Sequence, residues 1–144
     1  MNDTHVMKSE KGRILFVEDE MNLVDMYHAY FEQKGYDFLS TADIEEALHV
    51  TEFEQPDVIL LDLIIPKIEN GVVHMDAEQG YVFLEKVKKN PKTKNIPIIV
   101  FTSLDTIKDR ERCKEMGAID YIFKGKALPK EVLTAVEKVI SNKK

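Results

Sequence analysis

The sequence predicts an α/β fold: a five-stranded parallel sheet with helices on both faces. Two observations carry this expectation. Five short apolar runs recur along the chain, each followed by a segment with helical spacing. The runs are apolar throughout instead of alternating, as in strands buried on both sides of a sheet, and strands that alternate with helices return in parallel. Right-handed crossovers make a doubly wound sheet the natural solution, with strand order 2-1-3-4-5 one common form.

Residues 1–11 are polar and are expected to be a flexible tail before a single domain over residues 12–144. Arg13-Ile14-Leu15-Phe16-Val17 reads as the first strand. Leu23, Met26, Tyr27, Tyr30 and Phe31 then recur at three and four, and Gly35 supplies a helix stop. Tyr36 to Ser40 reads as the second strand and Ile44 to Phe53 as the second helix, with Asp43 as its N-cap. Val58-Ile59-Leu60-Leu61 follows Pro56 as the third strand. Tyr81 to Lys89 reads as a helix with Val82, Phe83 and Val87 inward. Ile96 to Phe101 is the fourth strand, Ile107 to Met116 a polar helix closed by Gly117, and Ile119 to Phe123 the fifth strand. Pro129 suits the first position of the last helix, which carries Val132, Leu133, Val136, Val139 and Ile140 on one face.

Composition narrows the function. With 144 residues, 44% hydrophobic and 32% charged, the chain reads as one ordinary globular domain. Cys113 is the lone cysteine, which fits a reducing compartment. No apolar run approaches the roughly 20 residues a membrane helix needs. Met1 to Lys11 lacks the apolar stretch of a secretion signal, so a cytoplasmic location is expected. A net charge of −6 weighs against direct binding of nucleic acid. Lys86, Lys88, Lys89, Lys92 and Lys94 read as a solvated helix end and loop. The expectation is a stand-alone domain that acts by touching a partner.

Ligands of doubly wound sheets bind beyond the carboxyl ends of the strands, at the crevice between strands 1 and 3. Here the first run ends in Glu18-Asp19, the third in Asp62, the fourth in Thr102-Ser103 and the fifth in Lys124. Three carboxylates meeting there would repel, raising at least one pKa unless a cation neutralises them. Mg²⁺ suits the role because it takes hard oxygen ligands. Lys124 adds a fixed positive charge, and Thr102 a hydroxyl that donates to an anionic oxygen. An aspartate beside a metal, a lysine and a hydroxyl is arranged to form an aspartyl-phosphate. Singly, these residues have plainer readings: Glu18-Asp19-Glu20 suits a helix N-terminus, and Tyr121 suits a core. Their joint placement at one end of the sheet favours the chemistry.

Over roughly residues 12–141 the sequence resembles the receiver domains of two-component response regulators, of the single-domain, chemotaxis-regulator-like kind. The matching residues are Glu18-Asp19-Glu20, Leu61-Asp62-Leu63-Ile64-Ile65-Pro66, Thr102-Ser103 and Tyr121-Ile122-Phe123-Lys124. The resemblance implies a flavodoxin-like fold. It implies that Asp62 accepts a phosphoryl group from a phosphohistidine of a histidine kinase or histidine phosphotransfer protein, and that a downstream target reads the change. Asp19 would ligate Mg²⁺ directly, Glu18 through water, and Asp62 and the backbone carbonyl of Ile64 would complete the protein ligands. Thr102 and Lys124 would bind the phosphoryl oxygens. Tyr121 would be the aromatic switch, swinging inward as Thr102 moves. Such a domain catalyses only its own phosphorylation and slow dephosphorylation.

The sequence departs from the family pattern in two places. The best match to the glycine of the family's loop is Gly80, which leaves an extended loop over residues 67–79. Asn70-Gly71 between apolar residues predicts that Ile68 and Val72-Val73 flank a tight hairpin turn near the rim of the site; a tolerated mobile loop is the plainer alternative. His74 and Asp76 in that loop read as solvent-facing. Gly125 follows Lys124 where the family usually has proline, and glycine's freedom in φ predicts a mobile loop there. Ser103 replaces a small alanine. Ile64 and Leu104, two residues beyond Asp62 and Thr102, cannot orient water, which predicts a long-lived phosphoryl group.

An alternative function is a receiver-like scaffold that acts by protein–protein contact without phospho-switching; the loop and Gly125 keep it open. A phosphatase with an Asp-x-Asp motif is disfavoured because Ile64 stands two after Asp62, leaving no general acid. A flavin site is disfavoured because no phosphate loop follows the first strand.

Overall fold

The computed structural model describes residues 10–143, so most of the expected tail, Met1 to Ser9, lies outside the described residues, as does Lys144. The elements are β1 (Arg13–Val17), α1 (Met21–Gln33), β2 (Asp37–Thr41), α2 (Ile44–Glu54), β3 (Val58–Leu61), β4 (Lys67–Glu69), β5 (Val72–His74), α3 (Glu78–Lys89), β6 (Ile98–Thr102), α4 (Ile107–Glu115), β7 (Asp120–Phe123) and α5 (Pro129–Lys143). The main sheet runs β2-β1-β3-β6-β7, all parallel, which is the expected order once the small β4-β5 sheet is set aside. The architecture is flavodoxin-like.

Alternate strand residues feed two cores. Leu15, Val17, Ile59, Leu61 and Val100 pack with Ala47 of α2, Phe83 and Val87 of α3 and Cys113 of α4. Ile14, Phe16, Leu60, Ile99 and Phe101 face the other way, onto Val24, Tyr27 and Phe31 of α1 and Val132 and Val136 of α5. This second core is rich in rings: Phe16 meets Tyr27 edge-on at 5.7 Å, and Tyr27 meets Phe101 at 5.5 Å. On α1, Val24 is buried, whereas Met26 is exposed and Leu23 and Tyr30 are half-buried. The inward stripe is therefore shifted from the expected one.

Register aligns the carboxyl ends of the strands. Val17 pairs with Leu61 and Thr102 with Phe123, so Glu18 and Asp62 leave the sheet side by side, with Lys124 beside Thr102. The fourth strand begins at Ile98 instead of Ile96; Pro97 has no N–H to give the ladder, although its carbonyl accepts from Ile59 N at 3.0 Å.

The third helix starts at Glu78, earlier than the expected Tyr81, because Asp76 Oδ1 accepts from Glu78 N at 3.0 Å and supports the first turn. Tyr81 and Leu84 join Phe83 and Val87 as its buried residues, and Val82 is half-buried.

The Asn70-Gly71 cue forms a hairpin. Both residues take positive φ, 53° and 78°, as a two-residue type I′ turn requires, and β4 pairs antiparallel with β5. His74 is exposed beside Glu69, at 4.0 Å.

Candidate phosphoacceptor site

Backbone ladders deliver the acidic residues. Asp62 N donates to Val17 O at 3.0 Å and Glu18 N to Thr41 O at 3.0 Å, extending β3 and β1 by one residue each. One carboxylate oxygen each from Glu18, Asp19 and Asp62 lies within 4.8 Å of the others. Glu18 and Asp62 are buried and Asp19 is half-buried. Glu20, the third acid of the run after β1, does different work: its carboxylate accepts from Leu23 N at 2.7 Å and caps α1. Glu18 Oε2 accepts from Glu20 N at 3.2 Å, and Asp62 Oδ1 from Ile64 N at 3.2 Å, so each buried carboxylate has one oxygen held by backbone.

Lys124 bridges the remaining oxygens. Its Nζ lies 2.5 Å from Glu18 Oε1 and 3.0 Å from Asp62 Oδ2. Its backbone N–H donates to Thr102 O at 2.8 Å, which carries the lysine past the end of β7. Burial alone would lower the lysine's pKa, but the Glu18 hydrogen bond and the Asp62 charge hold it above its ordinary value. Burial raises Glu18, with the Asp62 charge adding to it, and Lys124 opposes the rise. Burial is thus the main cause of the rise, and the crowding expected of convergent carboxylates is the smaller one.

The hydroxyl and the aromatic residue form a chain leading away from the acids. Thr102 is fully buried and its Oγ1 accepts from Leu104 N at 3.4 Å. Leu104 O in turn accepts from the Tyr121 hydroxyl at 2.7 Å. Tyr121 is half-buried, with the Arg110 guanidinium 4.7 Å above its ring, and burial pushes its pKa up to about 12.

Two glycines make the local packing possible. A Cβ on Gly80 would sit 2.4 Å from both Cα and O of Leu63, and Gly80 N donates to Leu63 O at 3.1 Å. The first turn of α3 is therefore docked backbone to backbone on the residue after Asp62. Gly125 takes no positive φ; a Cβ there would meet Phe123 Cζ at 2.5 Å, so a larger residue would have to displace that ring, and Lys126 N closes the turn on Phe123 O at 3.2 Å.

Sequence reasoning missed a junction beside the site. Tyr81 is buried, and its hydroxyl donates to Asp109 Oδ1 at 2.5 Å. The Arg112 guanidinium lies 3.7 Å over its ring. Only a tyrosine directly after the loop glycine hinted at it, and nothing in the spacing named its partners on α4.

Fold and edge together define a class: a flavodoxin-like domain with an acidic, lysine-bridged pocket at its topological switch point. The response regulator receiver domain family model matches residues 14–137, and the chain belongs to that family. Such domains are signalling modules. The chain is 34% identical to a probable transcriptional regulator, ycf27, of Porphyridium aerugineum, over 92% of this chain and 52% of that protein. It is 32% identical to the phosphate regulon transcriptional regulatory protein PhoB of Escherichia coli, over 89% of this chain and 51% of PhoB. The chain thus spans about half the length of these relatives. Among solved structures it is similar to the BeF3-activated N-terminal receiver domain of Klebsiella pneumoniae RstA, at TM-score 0.74 and 26% identity, covering 89% of this chain and 97% of that one. A CheY-like receiver domain protein of Methanospirillum hungatei matches at TM-score 0.76 and 25% identity, covering 90% and 94%. Among the described residues, no helix is long and apolar enough to cross a membrane.

Proposed function

We propose that this domain is a phosphoacceptor switch in which Asp62 takes a phosphoryl group from a phosphohistidine of a histidine kinase or histidine phosphotransfer protein. One observation carries the reading: the Lys124 ammonium sits between Glu18 and Asp62, against a cluster of three convergent carboxylates.

That cluster fits Mg²⁺, a cation that takes oxygen ligands and carboxylates in small number. Glu18, Asp19 and Asp62 would hold it, with the backbone carbonyl of Ile64. Bound there, Mg²⁺ would neutralise part of the negative charge gathered during transfer.

The chain's own residues account for the rest. An Asp62 carboxylate oxygen attacks phosphorus, the O–P bond forms as the donor's N–P bond breaks, and the leaving imidazole takes up a proton. Lys124 exchanges its contact with Asp62 for one with a phosphoryl oxygen, and the Thr102 hydroxyl donates to another. A shift of Thr102 would pull on Leu104, whose carbonyl holds the Tyr121 hydroxyl. Tyr121 is thereby the residue through which occupancy of Asp62 changes the outer face for a target protein. Ile64 and Leu104 offer no side-chain hydrogen bond to water, which supports a long-lived phosphoryl group. The setting is cytoplasmic, and the domain turns over no substrate beyond its own phosphorylation.

Incubation with acetyl phosphate and Mg²⁺, followed by intact-mass measurement, tests the reading. Wild type should gain one phosphoryl group, and neither Asp62→Ala nor wild type in EDTA should. No gain with any donor would leave a scaffold that works by contact alone.

A further inference from the structure

We infer that the β4–β5 hairpin is a docking arm for the protein that carries the phosphohistidine, an inference that rests on the acceptor reading of Asp62.

The arm stands on the acceptor's own loop. It begins at Lys67, five positions beyond Asp62, and its far end returns through Asp76 to Gly80, whose backbone is pinned to Leu63. In a parallel sheet of this kind every strand-to-helix connection lies at the carboxyl edge, so the hairpin rises from the edge that Asp62 faces.

Its two faces differ in chemistry. Ile68 and Val73 are direct cross-strand partners and so project from one face, 74% and 55% exposed. Lys67, Glu69 and His74 project from the other together with Val72, the partner of Glu69, so that face is mixed, with Glu69 3.8 Å from Lys67 and 4.0 Å from His74. A ribbon this short would ordinarily lay its apolar face on the body of the domain. Here that face is left to solvent.

The same chemistry recurs around the edge. Met21 opens α1, Ile107 opens α4 and Leu128 precedes α5, and all three are exposed large apolar residues at strand-to-helix connections. Asp62, by contrast, is only 4% exposed. A phosphohistidine borne on a protein must reach that recessed carboxylate from this edge, so the donor's surface around its histidine has to cover the rim. A second copy of this chain is a poorer occupant. Each copy carries a net charge of −6, and two copies laid rim to rim would oppose two acidic pockets. An apolar arm beside a recessed acidic pocket fits a donor with apolar side chains flanking its histidine.

The arm matters only to a donor large enough to touch it. Ile68→Thr with Val73→Thr removes the apolar face and keeps β-branched residues, so the hairpin itself is retained. Two donors are compared: acetyl phosphate, and an autophosphorylated histidine kinase core chosen from a panel because it phosphorylates wild type. The double variant should be labelled by acetyl phosphate at the wild-type rate. Transfer from the kinase should fall about tenfold at subsaturating kinase, equivalent to about 1.4 kcal/mol, with KM raised and the saturated rate unchanged. Unchanged transfer from the kinase overturns the inference while the acceptor reading stands. Equal losses with both donors also overturn it, because the hairpin would then be part of the pocket. A dimer of wild type in light scattering that dissociates in the double variant assigns the face to a second copy, against the inference. Failure of acetyl phosphate and of every kinase in the panel to label wild type sinks the acceptor reading itself.

Discussion

Helices α4 and α5 cover opposite faces of the sheet next to β7, and different forces hold them. α5 buries Val132, Val136, Val139 and Ile140 in the ring-rich core. α4 has one buried residue, Cys113. Its ties are polar: Thr106 caps its first turn by accepting from Asp109 N at 3.0 Å, Asp109 accepts from Tyr81, and Arg112 lies over the Tyr81 ring. Burial of apolar area is non-directional, and only withdrawing the whole face from the core loses it. A hydrogen bond at a half-exposed site is worth about 1 kcal/mol net, because water replaces it when it opens. α4 is thus the helix that can be repositioned at small cost, and it lies in sequence between Leu104 and Tyr121, the two ends of the Leu104 O–Tyr121 hydroxyl bond. α3 is its abutment, fixed by Gly80 against Leu63.

The abutment should be the most sensitive point. Intrinsic helix propensity says Gly80→Ala should stabilise α3 by about 1 kcal/mol. Backbone overlap at 2.4 Å predicts the opposite, a net loss of about 3 kcal/mol in urea unfolding. A stabilised Gly80→Ala protein would show that α3 is not docked as described.

Next in size, Val136→Ala in α5 removes two buried methyl groups and should cost about 2 kcal/mol. If it cost no more than loss of the Tyr81 tie to α4, tested next, the contrast between the two helices would fail. Tyr81→Phe keeps the ring under Arg112 and removes the bond to Asp109 along with a weak contact from Cys113 Sγ at 4.0 Å, for a loss of about 1 kcal/mol. It should raise hydrogen exchange in α4 and leave α5 unchanged; equal changes in both helices would break the comparison.

The smallest effect is in acid. The Tyr81 hydroxyl, then the Thr106 hydroxyl, hold the Asp109 carboxyl below its ordinary value of 3.8. A depressed carboxylate adds stability that is present above its unfolded value and lost as pH falls through its folded one. Wild type should therefore lose stability below about pH 4 slightly more steeply than Tyr81→Phe. Parallel acid limbs would mean that the Tyr81–Asp109 bond carries no weight.

Much of the fold and site was legible because the signals were local. Apolar runs marked the strands, and the residue after each run named Glu18, Asp62, Thr102 or Lys124's place at the edge. Asn70-Gly71 marked the hairpin because the turn needs two positive φ values. Local signals failed where a choice depended on neighbours distant in sequence. On α1 the spacing put Met26 inward and passed over Val24, and the packing of Phe16 and Phe101 against Tyr27 selected Val24's face. Gly125 looked like a flexible link, and nothing local in the sequence showed that it lies against the ring of Phe123. Arg13 sat in an apolar run and gave no hint that it would be buried and ion-paired with Glu54 and Asp37.

By itself, the sequence determined the alternation of strands and helices, the family, and which polar residues end the strands, since each depends on residue type and short-range spacing. Only the tertiary structure decided that Lys124 bridges Glu18 and Asp62 across 106 and 62 positions of chain. It also decided that α4 leans on Tyr81 and that the hairpin leaves its apolar face to solvent. Those are contests among side chains for partners and space, and such contests are settled only when the whole chain has closed on itself.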